Sequence, residues 1–199
     1  MKLYTNLFSP NARKVHAVAS ELGLDLDTHT VDLRAGEQRS PEYLALNPNG
    51  KVPTLVDGDT VLWESNAILC YLASKKDTEL WPQSDKRYDI LRWMFWDANH
   101  LNKASLRLFG QKFFSRGNPD MAVVESANKA FRKHATVLDG QLEREEFLTG
   151  DTLTLADFVV GLNFAYGTAL DLPIDGLDNV ARWWSKLSER ESIRMLSPG

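Results

Sequence analysis

The spacing of apolar residues changes part-way along the chain, and the change separates two kinds of structure. The first third alternates short strand-like segments with segments in which apolar residues recur every three or four positions, the period of a helix. The pattern predicts strands at 2–5, 26–33, 54–56 and 61–62, and helices at 10–22, 41–46 and 67–73. This order describes a βαβ unit followed by a hairpin and a last helix.

Beyond a polar stretch at 75–84, only helical spacing remains. We interpret this stretch, which contains Pro82, as a linker between two domains. Apolar residues then recur at helical intervals in three stretches, 90–101, 127–138 and 180–187. The sequence therefore predicts a thioredoxin-like α/β domain at 1–76 and an all-helical domain at 85–199.

A capping box marks the start of one helix in the second half of the chain. Thr154 stands three residues before Asp157, the spacing at which two side chains can satisfy each other's backbone N–H groups. The segment that follows is apolar on nearly all sides, which predicts a buried helix. We interpret Thr154 and Asp157 as structural residues that specify the fold.

Composition and charge narrow the class of protein. The chain has 199 residues, of which 43% are hydrophobic and 25% charged, as in soluble globular proteins. A formal net charge of −4 without any basic run argues against a nucleic-acid partner. No apolar stretch is long enough to span a bilayer, and the strand pattern begins too early for a signal peptide. The single cysteine fits a reducing compartment, so we expect a cytoplasmic protein.

The loop at 47–55, Asn-Pro-Asn-Gly-Lys-Val-Pro-Thr-Leu, carries the strongest chemical signal. It delivers the Val52–Pro53 bond to the start of a strand, where a cis proline is tolerated. Such a bond would expose the backbone of Val52 to an extended peptide that pairs with it. Glu64 and Ser65 then open a helix, whose N-terminus favours a carboxylate. Together these features predict a site for glutathione.

Five segments of the chain resemble the glutathione transferase superfamily, most of all its serine-using theta and phi classes and their bacterial relatives. They are Leu-Phe-Ser-Pro-Asn at 7–11, Gly-Glu-Gln-Arg-Ser-Pro-Glu at 36–42, the loop at 47–56, Glu-Ser-Asn-Ala-Ile at 64–68 and Leu-Thr-Gly-Asp-Thr-Leu-Thr-Leu-Ala-Asp-Phe at 148–158. The set covers both halves of the chain in the expected order. The resemblance implies glutathione as a co-substrate, with no metal or redox cofactor.

The resemblance implies that Ser9 is the catalytic residue, donating a hydrogen bond to the glutathione sulfur. A free thiol with a pKa near ~8.5 is only about 3% ionised at pH 7, so the thiolate needs stabilising. Lowering that pKa by about two pH units takes roughly 2.7 kcal/mol, within reach of one charge-assisted hydrogen bond and a helix N-terminus. From the residues alone, Ser9 before Pro10 is equally a helix N-cap. Asn11 is the next candidate donor, and Arg13 either adds positive potential or is a solvated helix residue.

The resemblance also implies the residues that hold the tripeptide. Gln38, Arg39 and Lys51 would face its glycine carboxylate, although Gln38 stands where the phi-class pattern has histidine. Val52 would pair with the central cysteine, with Pro53 as a structural residue. Glu64 and Ser65 would hold the γ-glutamyl end.

A small hydrophobic electrophile would bind in an apolar cleft between the two domains. The candidate contacts are Leu7, Phe8, Trp96, His100 and Phe109. The aromatic rings of the segment 93–114 are equally candidates for the core or for a dimer interface. The histidines at 16, 29, 100 and 134 show no metal-ligand spacing, so the sequence predicts no metal site.

We therefore expect a homodimeric glutathione S-transferase that acts in detoxification. Two alternatives stay open: a glutathione-dependent peroxidase, isomerase or lyase using the same site, and a non-catalytic transferase-like interaction module. Retention of Ser9, of Val52–Pro53 and of Glu64–Ser65 favours an enzyme. Cys70 lies on an apolar helix, where a cysteine is usually a small core residue, so thiol–disulfide chemistry is disfavoured.

Overall fold

The computed structural model of the chain describes residues 1–196, so the last three residues of the predicted helical domain at 85–199 lie outside them. The chain divides into a first compact unit, Met1–Thr78, and a second that begins at Glu79. Each unit has its own buried core. Among residues 1–196, no helix combines the length and the apolar character needed to cross a membrane.

The first unit has the predicted thioredoxin-like order of elements. These are β1 (Lys2–Thr5), α1 (Pro10–Glu21), β2 (Asp27–Thr30), a 3-10 helix (Glu37–Arg39), α2 (Pro41–Leu46), β3 (Thr54–Asp57), β4 (Thr60–Trp63) and α3 (Ser65–Ser74). The four strands form one sheet in the order β2-β1-β3-β4. β1 runs parallel to β2 and antiparallel to β3, and β3 and β4 form a hairpin that turns at Gly58.

The core of this unit follows from the pattern of apolar residues. Leu3 of β1 lies opposite Leu55 of β3, and both side chains are fully buried. Helices α1 and α3 contact each other and bury Val15 and Leu69, among other side chains. β2 is shorter than the predicted strand at 26–33, because its residues are mostly polar and exposed and it pairs only with β1.

The second unit is helical, as predicted. Its elements are α4 (Lys86–Asn99), α5 (Leu101–Phe114), α6 (Met121–Leu142), α7 (Leu155–Gly161), a 3-10 helix (Leu162–Phe164), α8 (Gly167–Leu170), α9 (Asp178–Ser188) and α10 (Glu191–Arg194). The helical spacing at 90–101 does not belong to one helix. His100, with φ −125° and ψ −80°, leaves the helical conformation and separates α4 from α5.

The carboxylate of Asp157 is the polar centre of this unit. It accepts the backbone N–H groups of Leu148 and Thr154 at 2.9 Å each, the Thr154 hydroxyl at 3.2 Å and the Trp183 indole N–H at 3.0 Å. Burial raises the pKa of Asp157, and these four donors oppose that shift by favouring the ionised form. The capping box thus connects a loop, the start of α7 and a tryptophan of α9.

Replacing Asp157 with alanine should lower the free energy of unfolding by about 3–5 kcal/mol, because several buried donors lose their acceptor at once. Urea unfolding followed by tryptophan fluorescence measures this loss. Asp151→Ala is the matched control: it removes an exposed carboxylate from the same loop and should change stability by no more than about 0.5 kcal/mol. A similar loss in both variants would contradict the role assigned to Asp157.

Candidate active site

A polar cavity of about 90 Å³ lies in the first unit, beside the start of β3 and the start of α3. Its lining residues are Asn11, Asn47, Asn49, Lys51, Val52, Pro53, Glu64 and Ser65. Six of these eight were predicted from the sequence as site residues or close to the site. Within residues 1–196, the predicted residues Ser9, Gln38 and Arg39 are outside the set that lines it.

Hydrogen bonds from neighbouring side chains hold the loop that carries Val52. The peptide bond between Val52 and Pro53 is cis. The carbonyl of the preceding residue, Lys51, accepts hydrogen bonds from the Tyr43 hydroxyl at 2.6 Å and from the Asn47 amide at 2.8 Å. Both side chains also contact the Thr54 hydroxyl, at 3.0 Å and 3.1 Å. This buried network fixes the backbone on either side of the cis bond.

The sequence did not identify Tyr43 and Thr54 as residues that position the site. Both are buried, at 4% and 0% exposure. Burial raises the pKa of Tyr43, so its hydroxyl stays protonated and can donate a hydrogen bond. A tyrosine in a short helix and a threonine at the start of a strand are common in cores. Only the fold shows that Tyr43 binds the Lys51 carbonyl and that Thr54 connects Tyr43 to Asn47.

Gly50 allows this loop to pass close to the 3-10 helix. Its φ of +58° lies in the left-handed region. A Cβ at this position would lie 3.0 Å from the carbonyl oxygen of Gln38 and 3.4 Å from Cδ2 of Leu44. Conformation and space therefore both require glycine here. Gln38 itself is half-buried, and its Nε2 donates to the Leu33 carbonyl at 3.4 Å.

The start of α3 presents Ser65 to the cavity. Ser65 is 9% exposed and is the first residue of the helix, where backbone N–H groups have no partner within the helix. Glu64 precedes it with φ 71° and ψ 113°, a conformation that few residues other than glycine adopt. Holding such a residue costs about 1–3 kcal/mol, and strain of this kind clusters at functional sites.

Ser9 caps α1, as its position before Pro10 suggests. Its hydroxyl oxygen accepts the Ala12 N–H at 3.4 Å, and Pro10 occupies the first turn. Accepting this bond uses the oxygen, so the hydroxyl proton can still be donated to another group. The N-cap role and the role of a sulfur ligand are therefore compatible.

Asn11 and Arg13 lie on the first turn of the same helix. Asn11 lines the cavity, and within the described residues 1–196 its buried Oδ1 has no hydrogen-bond partner. Arg13 is only 8% exposed and donates from Nε to the Leu7 carbonyl at 2.7 Å. Arg13 is thus not a solvated helix residue, because it binds the loop that carries Ser9. The side chains of Leu7 and Phe8 in that loop are exposed, at 48% and 42%.

The charged residues predicted to contact the glycine carboxylate and the residues predicted to contact the electrophile differ in exposure. Arg39 and Lys51 are exposed. In the second unit, Phe109 is buried, with its ring centroid 4.7 Å from that of Phe113. Trp96 and His100 have centroids 6.0 Å apart, and both contact His134, a partner that the sequence did not indicate. Among residues 1–196, no group of three or more His, Cys, Asp or Glu side chains is placed to hold a metal ion.

Comparison with known proteins matches both halves of the chain to one family. Residues 1–74 match the glutathione S-transferase N-terminal domain, and residues 96–191 match the glutathione S-transferase C-terminal domain. Glutathione S-transferase 3 of Zea mays is 36% identical over 204 residues, which cover 98% of this chain and 91% of the maize protein. The chain belongs to the glutathione S-transferase family.

Solved structures of other glutathione transferases share the fold over its whole length. Poplar glutathione transferase F1 superposes with a TM-score of 0.91 at 28% identity, covering 98% of this chain and 95% of the poplar one. A theta-class enzyme from the citrus canker pathogen Xanthomonas axonopodis pv. citri, solved with glutathione bound, gives a TM-score of 0.89 at 30% identity. It covers 100% of this chain and 97% of that protein.

Gly50→Ala should destabilise this transferase more than Gly58→Ala. Both glycines have nearly the same left-handed φ, +58° and +57°, so both variants lose about 1–2 kcal/mol to backbone conformation. Only the Cβ at position 50 meets the Gln38 carbonyl, which adds about 1–3 kcal/mol, whereas position 58 has open space. Thermal unfolding compares the two. Calorimetry should show weaker glutathione binding in Gly50→Ala alone, and equal behaviour of the pair would rule out the close contact as the cause.

Proposed function

We propose that the chain is a glutathione transferase that converts the glutathione thiol to a thiolate for attack on small hydrophobic electrophiles. The observation that carries this proposal is the convergence of Val52, Glu64 and Ser65 on one polar cavity. In this proposal residues 1–76 form the glutathione-binding domain, residues 85–199 form the helical domain, and the reaction serves detoxification in the cytoplasm. Glutathione is a co-substrate that is consumed.

Each end of the tripeptide has a complementary group in this proposal. The backbone of Val52 pairs with the central cysteine, as in strand addition. The γ-glutamyl carboxylate binds the hydroxyl and N–H of Ser65 at the start of α3, with Glu64 as its neighbour. Gln38, Arg39 and Lys51 serve the glycine carboxylate, and the exposed positive charges of the last two attract an anionic peptide to an acidic protein.

The chemistry proposed for Ser9 follows from its place at the end of a helix. Its hydroxyl oxygen accepts the Ala12 N–H, and its proton is directed to the sulfur of glutathione. The thiol releases its proton to solvent, and the thiolate attacks an electrophilic carbon. A new carbon–sulfur bond forms while the leaving group departs with its electron pair, or while an activated double bond takes up the charge and then a proton. Arg13 supports this geometry by binding the Leu7 carbonyl.

Two further assignments belong to the same proposal. Asn11 is the alternative sulfur ligand, supported by its position in the cavity, and its amide Nδ2 is the group that would donate a hydrogen bond to the sulfur. Leu7 and Phe8 are proposed contacts of the electrophile, supported by their exposure next to Ser9. In the second unit, Trp96, His100 and Phe109 stay candidate contacts.

Ser9→Ala should lower turnover by about 10- to 100-fold while glutathione still binds, because the thiolate loses a hydrogen bond. The pKa of the bound thiol, measured from the pH dependence of thiolate absorbance, should rise toward its free value in this variant.

Ser40→Ala is the matched control. Ser40 also caps a helix, α2, accepts a backbone N–H at 3.2 Å and precedes a proline. It should lose about 1 kcal/mol of stability, like Ser9→Ala, and keep the thiol pKa of the wild type. Unchanged turnover in Ser9→Ala would refute its role, and a loss in Asn11→Ala would then assign the sulfur ligand to Asn11. If no variant and no wild-type sample retained glutathione, the non-catalytic module would be favoured.

We further propose that the protein is a homodimer, with α4 in the interface. Tyr88 and Phe95 are 72% and 64% exposed and stand two helical turns apart on one face of α4. Exposed aromatic residues that share a face are typical of protein–protein contacts.

Phe95→Glu should therefore shift the protein from dimer to monomer, because a carboxylate would be buried without a partner in the interface. Sedimentation velocity measures the assembly state. Met195→Glu is the control, since Met195 is equally exposed at 64% but lies at the end of α10. A dimeric Phe95→Glu protein would exclude this face of α4.

A further inference from the structure

We propose that His100 and His134 form a two-imidazole binding site for a first-row divalent metal ion of the Zn²⁺ and Cu²⁺ class. The two residues are 34 positions apart in the sequence, and the fold of the second unit brings them together. His100 lies at the break between α4 and α5, and His134 lies on α6. This inference concerns the helical unit and does not depend on glutathione binding by the first unit.

The spacing of the rings fits a shared ion. Their centroids are 5.1 Å apart, with an angle of 30° between the ring planes. A metal–nitrogen bond of about 2.1 Å places an ion roughly 3.2 Å from each ring centroid. With one nitrogen of each ring turned toward the ion, two rings 5.1 Å apart would subtend about 105° there, close to the tetrahedral angle that Zn²⁺ prefers.

The two histidines differ in exposure, since His134 is half-buried on α6. His100 is exposed, which opens the pair to ions from solvent.

Trp96 packs against both imidazoles. Its ring centroid lies 6.0 Å from that of His100 and 5.8 Å from that of His134, and it packs edge-on against Trp93 at 5.2 Å. Imidazole favours Zn²⁺, Cu²⁺ and Ni²⁺ over Mg²⁺ and Ca²⁺, which prefer oxygen ligands. Within the described part of the chain no third such side chain joins the pair, so water would complete the coordination.

Calorimetric titration of the chelator-treated full-length protein with Zn²⁺ tests this site. The wild-type chain should bind one equivalent, and His100→Gln and His134→Gln should each weaken binding at least tenfold. His29→Gln is the matched control: it removes a partly exposed histidine from the first unit, 2.6 Å from a carboxylate oxygen of Glu37, and should leave binding unchanged. Circular dichroism melts of the variants verify folding.

A second measurement uses the wild-type chain alone, so that it does not depend on any variant folding. In a proton NMR titration, Zn²⁺ should shift the imidazole signals of two of the four histidines, and Mg²⁺ should shift none. Two rings that only pack against each other would show no such shifts. Absence of binding, Zn²⁺ affinity that survives in both glutamine variants, or loss of affinity in His29→Gln would overturn the proposal.

Discussion

The carbonyl group of Lys51 is the point on which the geometry of the candidate site depends. Two buried donors, Tyr43 and Asn47, bind it from the protein side, and Thr54 bridges them. The backbone that follows places Val52 at the cavity next to the start of α3. A loop without these donors would retain its sequence motif but would lose the hydrogen bonds that position Val52 for the proposed pairing with a peptide.

The sequence predicted the first unit well because its signals are local. Proline and glycine mark the turns, apolar alternation marks β1 and β3, and the Ser-Pro pairs mark the starts of α1 and α2. β2 was predicted too long, because alternation of weakly apolar residues does not distinguish a strand from an extended loop. In the second unit, helical spacing runs across 90–101 without showing the break at His100, which depends on backbone conformation rather than hydrophobicity.

For the candidate site, the sequence indicated residues whose possible role follows from their own type and local motif, such as Ser9, Val52 and Ser65. It could not indicate residues that act through a third group. Tyr43 and Asn47 share the Lys51 carbonyl, Thr54 connects these two side chains, and His134 of α6 contacts His100 at the break between α4 and α5. Such relations arise from long-range packing, for which neither spacing nor composition carries a signal. The burial of Arg13 likewise could not be predicted from the sequence, because it arises from packing in the fold.

The hydroxyl of Ser9 is shared between the architecture of α1 and the proposed reaction, and this sharing limits which residues can occupy the position. A substitute must accept a backbone N–H in order to begin the helix, and it must also offer a proton to an anion. Aspartate would satisfy the first demand and repel the anion; alanine would satisfy neither. Threonine and asparagine are the remaining side chains that meet both. The need to begin α1 therefore restricts which residues can replace Ser9, even where selection on the enzyme's substrate is relaxed.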